Sequence, residues 1–462
     1  IIEDYDKLYY DAKENKELEE FFDTIRDRIF EEKKIAIMPL DDQEFARKSF
    51  FGGRTNSTAL KYTFKNNEVG RYRDVTSLYP TVNYYDTYGL GHLTTLKDNY
   101  PDDYLDLYGF IDCYVIPPKD LYMPVLAQKG EKLTFDLEDK RGVWTTMELK
   151  KAVEKGYKVT EIYEFKYYEK TTNDLFKGYV SRFLKIKQES SGFPAWVKNQ
   201  EDKIKYIKQY KDNQGVDLDI NKIEENKGLR AVAKLCLNSL WGKFGMRLNM
   251  PQTEITTDKK RFNEIMFNRK KYTKTYADFI DDERVELKFQ LQENQVKLSP
   301  LTNIGIASFT TSHARLRLYE GLETLDRQVL YNDTDSIVYV YDKENPNHKD
   351  LPVGDYLGFW TDELDGEDMV GTFVGAGPKN YSYETSDGDY HTKIKGINLN
   401  YNATKILNHY SMLNLVNNRD KKDGNFEEVD TFNITRTKDK TLKSIFSTKK
   451  YSFGYTKRHI CP

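Results

Sequence analysis

The stretch Val329-Leu330-Tyr331-Asn332-Asp333-Thr334-Asp335-Ser336-Ile337-Val338-Tyr339-Val340-Tyr341 constrains this chain more than any other. Apolar and aromatic β-formers flank a short polar core, a pattern that predicts two strands joined by a tight turn. Only one residue separates Asp333 from Asp335, so extended chain would point both to one side. Carboxylates that close repel each other, and a site that keeps both ionised supplies a cation. The ordinary alternative is an Asx-rich hairpin turn without chemistry, and the rest of the chain has to decide.

A second acid lies in Val69-Gly70-Arg71-Tyr72-Arg73-Asp74-Val75-Thr76-Ser77-Leu78-Tyr79-Pro80. Val69 to Val75 suits a strand, and Thr76 or Ser77 is a natural cap for a helix that follows. Asp74 at the strand end can bind a cation, while amides around Ser77, Leu78 and Tyr79 can bind the phosphates attached to it; an ordinary capped strand-to-helix turn would explain the stretch equally well. A third signal runs from Glu224 to Phe244. Arg230, Lys234 and Asn238 recur at four-residue steps and stack along one helical face, with Trp241-Gly242 closing the row. Such a face suits successive phosphates of a triphosphate, and an aromatic beside a glycine suits a base pair; the ordinary alternative is a solvated amphipathic face, although no acids at i±4 neutralise Arg230 or Lys234.

At 462 residues the chain is long enough for two to four subdomains. Its net charge of −3 does not announce a nucleic-acid binder, so local distribution has to carry that reading. Basic runs at Lys259 to Lys274 and at Arg436 to Arg458 offer it. Cys113, Cys236 and Cys461 form no zinc pattern and no disulfide framework, which points to a reducing intracellular compartment, the cytoplasm or nucleus of a host cell. There is no signal-peptide layout and no apolar run long enough to cross a bilayer, so no membrane partner is expected. The chain starts at Ile1 rather than Met, which leaves room for a removed upstream portion.

Other elements read more plainly. Apolar positions between residues 5 and 33 suit amphipathic helices. Phe50-Phe51-Gly52-Gly53-Arg54-Thr55-Asn56 reads equally as a loop able to approach a phosphate backbone and as a structural turn. Tyr108 to Pro117 and Tyr157 to Tyr168 are strand-like, and Thr145-x-x-Glu148 is a capping box for a helix that Gly156 closes. Leu175 to Gln188 is a helix and Lys198 to Lys211 a polar, lysine-rich tip. Residues 249 to 298 suggest strands or a hairpin, Leu301 to Leu325 a long helix, and 400 to 416 a helical segment.

Asp74, Asp333 and Asp335, with a cationic helix between them in sequence, form one constellation. Two divalent ions bridging such carboxylates would sit roughly 3.5–4 Å apart and stabilise both oxygens of an in-line displacement. Oxygen ligands and phosphates favour Mg2+, or Mn2+, over zinc. Arg230 and Lys234 would neutralise the transferred and departing phosphates, which describes nucleotidyl transfer.

At these residues the chain resembles the family B DNA polymerases. Asp74-Val75-Thr76-Ser77-Leu78-Tyr79-Pro80 is similar to their first motif, Lys234 to Gly242 to their second, and Tyr331 to Ser336 to their third. Lys379-Asn380-Tyr381 is similar to the Lys-x-Tyr element, and Lys393-x-Lys395-Gly396 to the lysine-rich strand, both of which grip the primer end. Within the family the resemblance is strongest to protein-primed enzymes. The run Asn238 to Gly245, the helix Phe183 to Glu189 and the Gly52-Gly53 loop suggest Maverick/Polinton-type mobile elements or related viruses.

The resemblance implies an α+β right hand. Residues 1–60 would be an N-terminal helical segment and linker loop, 61–84 and 301–396 the palm, 173–245 the fingers and 397–462 a small thumb. Residues 85–172 and 246–300 would match the two insertions that hold a priming protein and encircle template. It implies Asp74 and Asp335 as direct metal ligands, Val75 lending a carbonyl, Asp333 as a supporting acid, and Tyr79 as the gate against a ribose 2′-OH. Gly52, Gly53, Arg54, Thr334, Lys379, Tyr381, Lys393 and Lys395 would face primer and template. Partners would be template and primer DNA, dNTPs and a terminal priming protein. Trp241 stands where many relatives have Tyr, and its N–H cannot accept a hydrogen bond. The three acidic motifs of a proofreading exonuclease are not found, so no 3′–5′ exonuclease activity is expected. Two alternatives stand beside this reading: a DNA-binding scaffold with a degenerate polymerase fold, and an oligonucleotide-primed family B polymerase.

Overall fold

The computed structural model describes residues 35–296, 298, 302–419, 426–436 and 441–452. The helices expected between residues 5 and 33, and the outer parts of the C-terminal basic run, lie outside them. Chain order opens with α1 (Leu40–Lys48), β1 (Thr55–Ser57), β2 (Lys61–Thr63), β3 (Glu68–Val75) and α2 (Leu78–Tyr85). A first inserted module follows: β4 (Tyr88–Leu96), β5 (Tyr108–Ile116), β6 (Ala127–Lys129), β7 (Leu133–Phe135), β8 (Lys140–Thr145), α3 (Thr146–Glu154) and β9 (Lys158–Thr172). Three helices come next, α4 (Lys177–Glu189), α5 (Gln200–Gln214) and α6 (Lys227–Phe244). The second module holds β10 (Gln252–Thr256), α7 (Lys259–Phe267), β11 (Tyr272–Phe279) and β12 (Val285–Leu291). The chain returns through α8 (Ile304–Leu325), β13 (Val329–Asp333), β14 (Ser336–Asp342), β15 (Trp360–Asp362), β16 (Met369–Gly377), β17 (Asn380–Thr385) and β18 (Tyr390–Ile394). It ends with α9 (Tyr401–Ile406), α10 (His409–Asn417) and the hairpin β19 (Phe426–Arg436) and β20 (Leu442–Ser452).

The expected acidic hairpin forms and lies inside the largest sheet. Its order is β1-β13-β14-β3-β16-β17-β18, with β15 added to β3 and β2 to β16. Every pairing in it is antiparallel. Because β14 pairs with β3 in the register Ser336↔Asp74, Asp74 and Asp335, more than 250 residues apart in sequence, come together at the ends of two neighbouring interior strands. The first module is a separate antiparallel sheet, β4-β9-β5-β8. The second is the sheet β10-β12-β11 with α7, closed around its own small core of Ile265, Tyr272, Leu287 and Phe289.

Helix α8 lies behind the large sheet and is buried on nearly every side. Its first nine residues, Ile304 to Ser312, are all buried, so other elements cover that part on every side, while Glu320, Glu323 and Thr324 stay exposed. Its one buried charge is Arg315, which donates to both carboxylate oxygens of Glu148 at 2.8 and 3.0 Å. The same guanidinium donates to the Phe51 carbonyl at 2.6 Å. One ion pair thus ties α3 of the first module, α8 and the loop before β1 together.

Several local expectations are corrected. The large sheet begins at Thr55, inside the segment expected to be a linker, because β1 pairs with β13. The lysine-rich tip is mostly helix α5, started by the Asn199/Asp202 capping box and anchored by buried Tyr206 and Tyr210. The second module contains a helix as well as strands. Residues 400–416 form two helices, since Asn408 caps a new one. Glu148 sits in the expected capping box, but its carboxylate turns to Arg315, Ser312 and the Thr145 hydroxyl. Among the described residues no helix is long and apolar enough to cross a membrane.

Candidate active site

The turn between β13 and β14 consists of Thr334 and Asp335. Thr334 has φ +59°, a left-handed conformation unusual for a β-branched residue. Three main-chain bonds hold it there. Thr334 N–H donates to the Arg54 carbonyl at 2.7 Å, Asp335 N–H to the Asp333 carbonyl at 2.6 Å, and Val75 N–H to the Asp335 carbonyl at 2.7 Å. The kink separates the roles of the two hairpin acids, which simple strand alternation would not have done. Asp333 accepts from Lys379 Nζ at 2.8 and 2.9 Å, from Thr55 at 2.8 Å, from Thr334 at 3.2 Å and from Tyr331 at 3.3 Å. Its acceptor capacity is filled by these donors.

Asp74 and Asp335 stand in no ion pair among the described residues, and their charges are unbalanced. Burial, then the charges of Asp335 and Glu363, push the Asp74 carboxyl up to about 8; Lys234 and Lys393 oppose the shift. Burial, then Asp333, push Asp335 up to about 6. Two half-buried carboxylates driven toward their protonated forms suit a hard divalent cation, which would restore their ionisation. The protein's own donors are few. Among the described residues no three acids, histidines or cysteines lie close enough to hold a metal ion. The two carboxylates and the Val75 carbonyl would need ligand phosphates and water to complete a coordination shell, as magnesium sites commonly do.

A cationic wall faces these acids. Arg230, Lys234 and Asn238 are exposed along one face of α6, as their spacing requires. Lys187 of α4 joins them: burial, then repulsion from Arg230 and Lys234, lowers its pKa to about 8, and its Nζ lies 3.4 Å from the Ser77 hydroxyl. Arg230 is steadied by Ser191 at 3.0 Å. Ser77 does not cap α2 through its side chain as expected; it takes φ +55° instead. The first-turn amides of Leu78 and Tyr79 have no acceptor within the helix, so they remain available to an anion.

Tyr79 stacks on Trp241 with ring centroids 4.5 Å apart and planes 24° apart, and Phe50 meets the indole edge-on at 6.3 Å. Beside Trp241, a Cβ added to Gly242 would meet nothing within 4 Å. A flat aromatic floor therefore borders open space next to the acids and the cationic wall.

The residues expected to face primer and template divide. Gly52 is open, whereas a Cβ at Gly53 would stand 2.6 Å from Thr334 Oγ1, so this glycine makes room for the strained turn. Arg54 is corrected outright. It is 4% exposed and its guanidinium donates to the Pro124 carbonyl, so it does not reach a surface where DNA could lie. Lys379 is spent on Asp333. Tyr381 is buried, with its hydroxyl 3.1 Å from that of Tyr72. Lys393 lies opposite Tyr381 in the β17–β18 register with its Nζ 5.9 Å from the ring, and Lys395 is exposed just past the strand.

Sequence reasoning missed two charged groups. Lys187 lies within the helix that carried the resemblance, but burial without an acidic partner is a tertiary property. Glu363, one residue past β15, acts on both Asp74 and Asp335. Its only sequence signal is its place after Trp360-Thr361-Asp362.

The profile of a family described as "DNA polymerase type B, organellar and viral" matches residues 14–206 and 193–327. Comparison with curated protein sequences gave no match. Among solved structures, the fold is similar to Phi29 DNA polymerase complexed with primer-template DNA and incoming nucleotide, at a TM-score of 0.61 and 18% identity over 94% of this chain and 66% of that one. The post-translocation binary complex with primer-template DNA gives 0.62 and 18% over 92% and 65%. The orthorhombic crystal form gives 0.61 and 17% over 93% and 66%. The chain thus spans a little under two thirds of that polymerase's length, and at this identity the likeness speaks for an α+β polymerase fold.

Proposed function

Because this chain belongs to the type B DNA polymerase family of organelles and viruses, we propose that it is a DNA-directed DNA polymerase that adds dNTPs to a 3′-OH with release of pyrophosphate. The observation that carries the reading is the convergence of Asp74 and Asp335 opposite Lys187, Arg230 and Lys234. Unbalanced negative charge faces unbalanced positive charge across a gap that a triphosphate with its cations would neutralise from both sides.

In this reading a pair of Mg2+ ions, with Mn2+ as a substitute, would lie at Asp74, Asp335 and the Val75 carbonyl and stabilise both the attacking and the leaving oxygens. Lys187, Arg230 and Lys234, with the amides of Leu78 and Tyr79, bind and orient the triphosphate. Asn238 extends their row. Tyr79 lies under the sugar, where its ring, braced by Trp241, leaves no room for a ribose 2′-OH. Trp241 and the open space at Gly242 receive the nascent base pair. Asp333 and Lys379 hold the turn, and Lys393 and Lys395 contact the primer strand. Glu363 keeps the field at the two open carboxylates negative.

The large sheet acts as the palm, α4 to α6 as the fingers and the segment from α9 onward as the thumb. The two inserted modules, each with its own sheet, support a start from a terminal priming protein, on a viral or mobile-element genome. The test is extension of a labelled template-primer by the purified chain with Mg2+ and dNTPs. Templated product from the native chain, lost in Asp335→Asn while template binding persists, is expected. A chain that binds template-primer but never extends it would favour a non-catalytic scaffold.

A further inference from the structure

Arg54 is a buried cation without a counter-charge. Among the described residues no carboxylate lies within ion-pair distance of it, and burial draws its pKa down to about 10. One terminal nitrogen donates to the Pro124 carbonyl at 2.6 Å and the other reaches Met123 Sδ at 3.7 Å. The guanidinium lies 4.6 Å from the Phe135 ring centroid, and its Nε has no acceptor. Removing a guanidinium from water with so little compensation is costly, and an apolar side chain would fill the space at less expense. What the residue joins explains it better than its packing does.

At its main-chain end, the Arg54 carbonyl accepts the Thr334 N–H, the bond that fixes the strained turn beside Asp335. At its side-chain end, it grips a short segment of the first inserted module. Three successive residues there are held through their backbone: Met123 by the Tyr319 hydroxyl at 2.8 Å, Pro124 by Arg54, and Val125 by the Tyr157 hydroxyl at 3.2 Å. Tyr319 belongs to α8 and Tyr157 to the module itself. Of these three grips, among the described residues, Arg54's is the one that links the segment directly to the acidic turn.

We infer that Arg54 is a positioning residue that fastens the 123–125 segment of the first module to the Thr334–Asp335 turn, so that the seating of the module sets the geometry of the acids. The role differs from a phosphate contact, and the two make opposite demands. A phosphate contact needs an accessible guanidinium, whereas a fastener needs it buried between two elements.

The full chain is compared with Arg54→Lys, Arg54→Met and Phe135→Ala, which removes the ring lying against the guanidinium from the module side. The activity readout rests on the polymerase reading; backbone hydrogen exchange at residues 329–338 does not. Arg54→Met should speed exchange there about tenfold or more. It should lower kcat of primer extension about tenfold while leaving the dNTP KM and template-primer Kd within about twofold. Arg54→Lys, which keeps a donor for Pro124, should recover most of both, and Phe135→Ala should speed exchange at the same segment. Unchanged exchange at 329–338 in Arg54→Met, or in Phe135→Ala should Arg54→Met fail to fold, overturns the inference. So does a weaker template-primer affinity with a salt slope shallower by about one, the mark of a lost phosphate contact. A native chain inactive in extension would sink the polymerase reading alone, since exchange still decides the fastener.

Discussion

The Val75 N–H donates to the Asp335 carbonyl at 2.7 Å, so the two segments bearing the open carboxylates are joined through main chain. The β3–β14 ladder continues that junction from Asp74↔Ser336 onward. Neither carboxylate is needed to hold the other segment in place. Replacing either acid by its amide should therefore leave the frame intact and expose the cost of keeping two charges there.

That cost depends on pH. A carboxyl whose pKa is raised by folding stabilises the folded state least where the unfolded chain is ionised and the folded group is forced to ionise too. For Asp74 the loss accrues as pH rises from about 4 to its folded value of about 8. Asp74→Asn should raise stability at pH 8.5 by about 1–2 kcal/mol, after allowing for the solvent exposure of the site. The gain should shrink toward zero as pH falls to 4, as thermal melts in chelator across that range would register. A gain independent of pH would mean that Asp74 bears no unbalanced charge.

Under the proposed function, Lys187 and Lys234 should act on nucleotide binding. Charge-assisted hydrogen bonds to phosphate contribute about 1.5–3 kcal/mol each, so Lys234→Ala or Lys187→Ala should raise the dNTP KM about 10- to 100-fold. Template-primer affinity should change little. Steady-state kinetics with the template-primer saturating separate the two, and wild-type KM values would remove these lysines from the triphosphate site.

Tyr79 and Trp241 make a third pair whose roles can be parted. Tyr79→Ala should admit ribonucleotides, whereas Tyr79→Phe keeps the ring and should preserve discrimination. Trp241→Ala removes a stack of about 0.5–1.5 kcal/mol, which should relax the gate partly by freeing Tyr79. Competition between rNTPs and dNTPs reads all three; unchanged sugar selection in Tyr79→Ala would refute the gate.

The buried Glu148–Arg315 pair bears on stability instead of chemistry. Removing one partner of such a pair strands the other, typically at about 3–5 kcal/mol. Glu148→Ala should show that loss in denaturant unfolding, because Arg315 also holds the Phe51 carbonyl and cannot leave the core. A change under about 1 kcal/mol would show that water reaches Arg315.

How much of this was legible depended on whether the signal was local. The hairpin at 329–341 and the strand before Asp74 announce themselves by β-branched and aromatic runs, and the cationic face of α6 by its four-residue step. Such patterns survive folding because they are short-range. The separate fates of Asp333 and Asp335 were not legible, since strand alternation puts them together and only the left-handed Thr334 turns them apart. Arg54 beside two glycines looked like a surface loop; its inward turn is set by Pro124 and Phe135, roughly 70–80 positions on. Ser77 looked like a cap, but its left-handed backbone comes just after Thr76, whose main chain is bonded on both sides to Gly358 and Phe359, far away in sequence. Helix α5 hid behind its lysines because its buried side is marked by Tyr206, Tyr210 and the polar Gln214 alone.

The proposed function requires Asp74 and Asp335 to share divalent cations once nucleotide is present. The direct measurement is Mn2+ binding, by electron paramagnetic resonance, to the full chain with a non-extendable template-primer and a matched dNTP. Two bound ions in the native chain, lost or reduced to one in Asp335→Asn and Asp74→Asn while the DNA stays bound, is the expected result. Equal Mn2+ binding in all three proteins would contradict it.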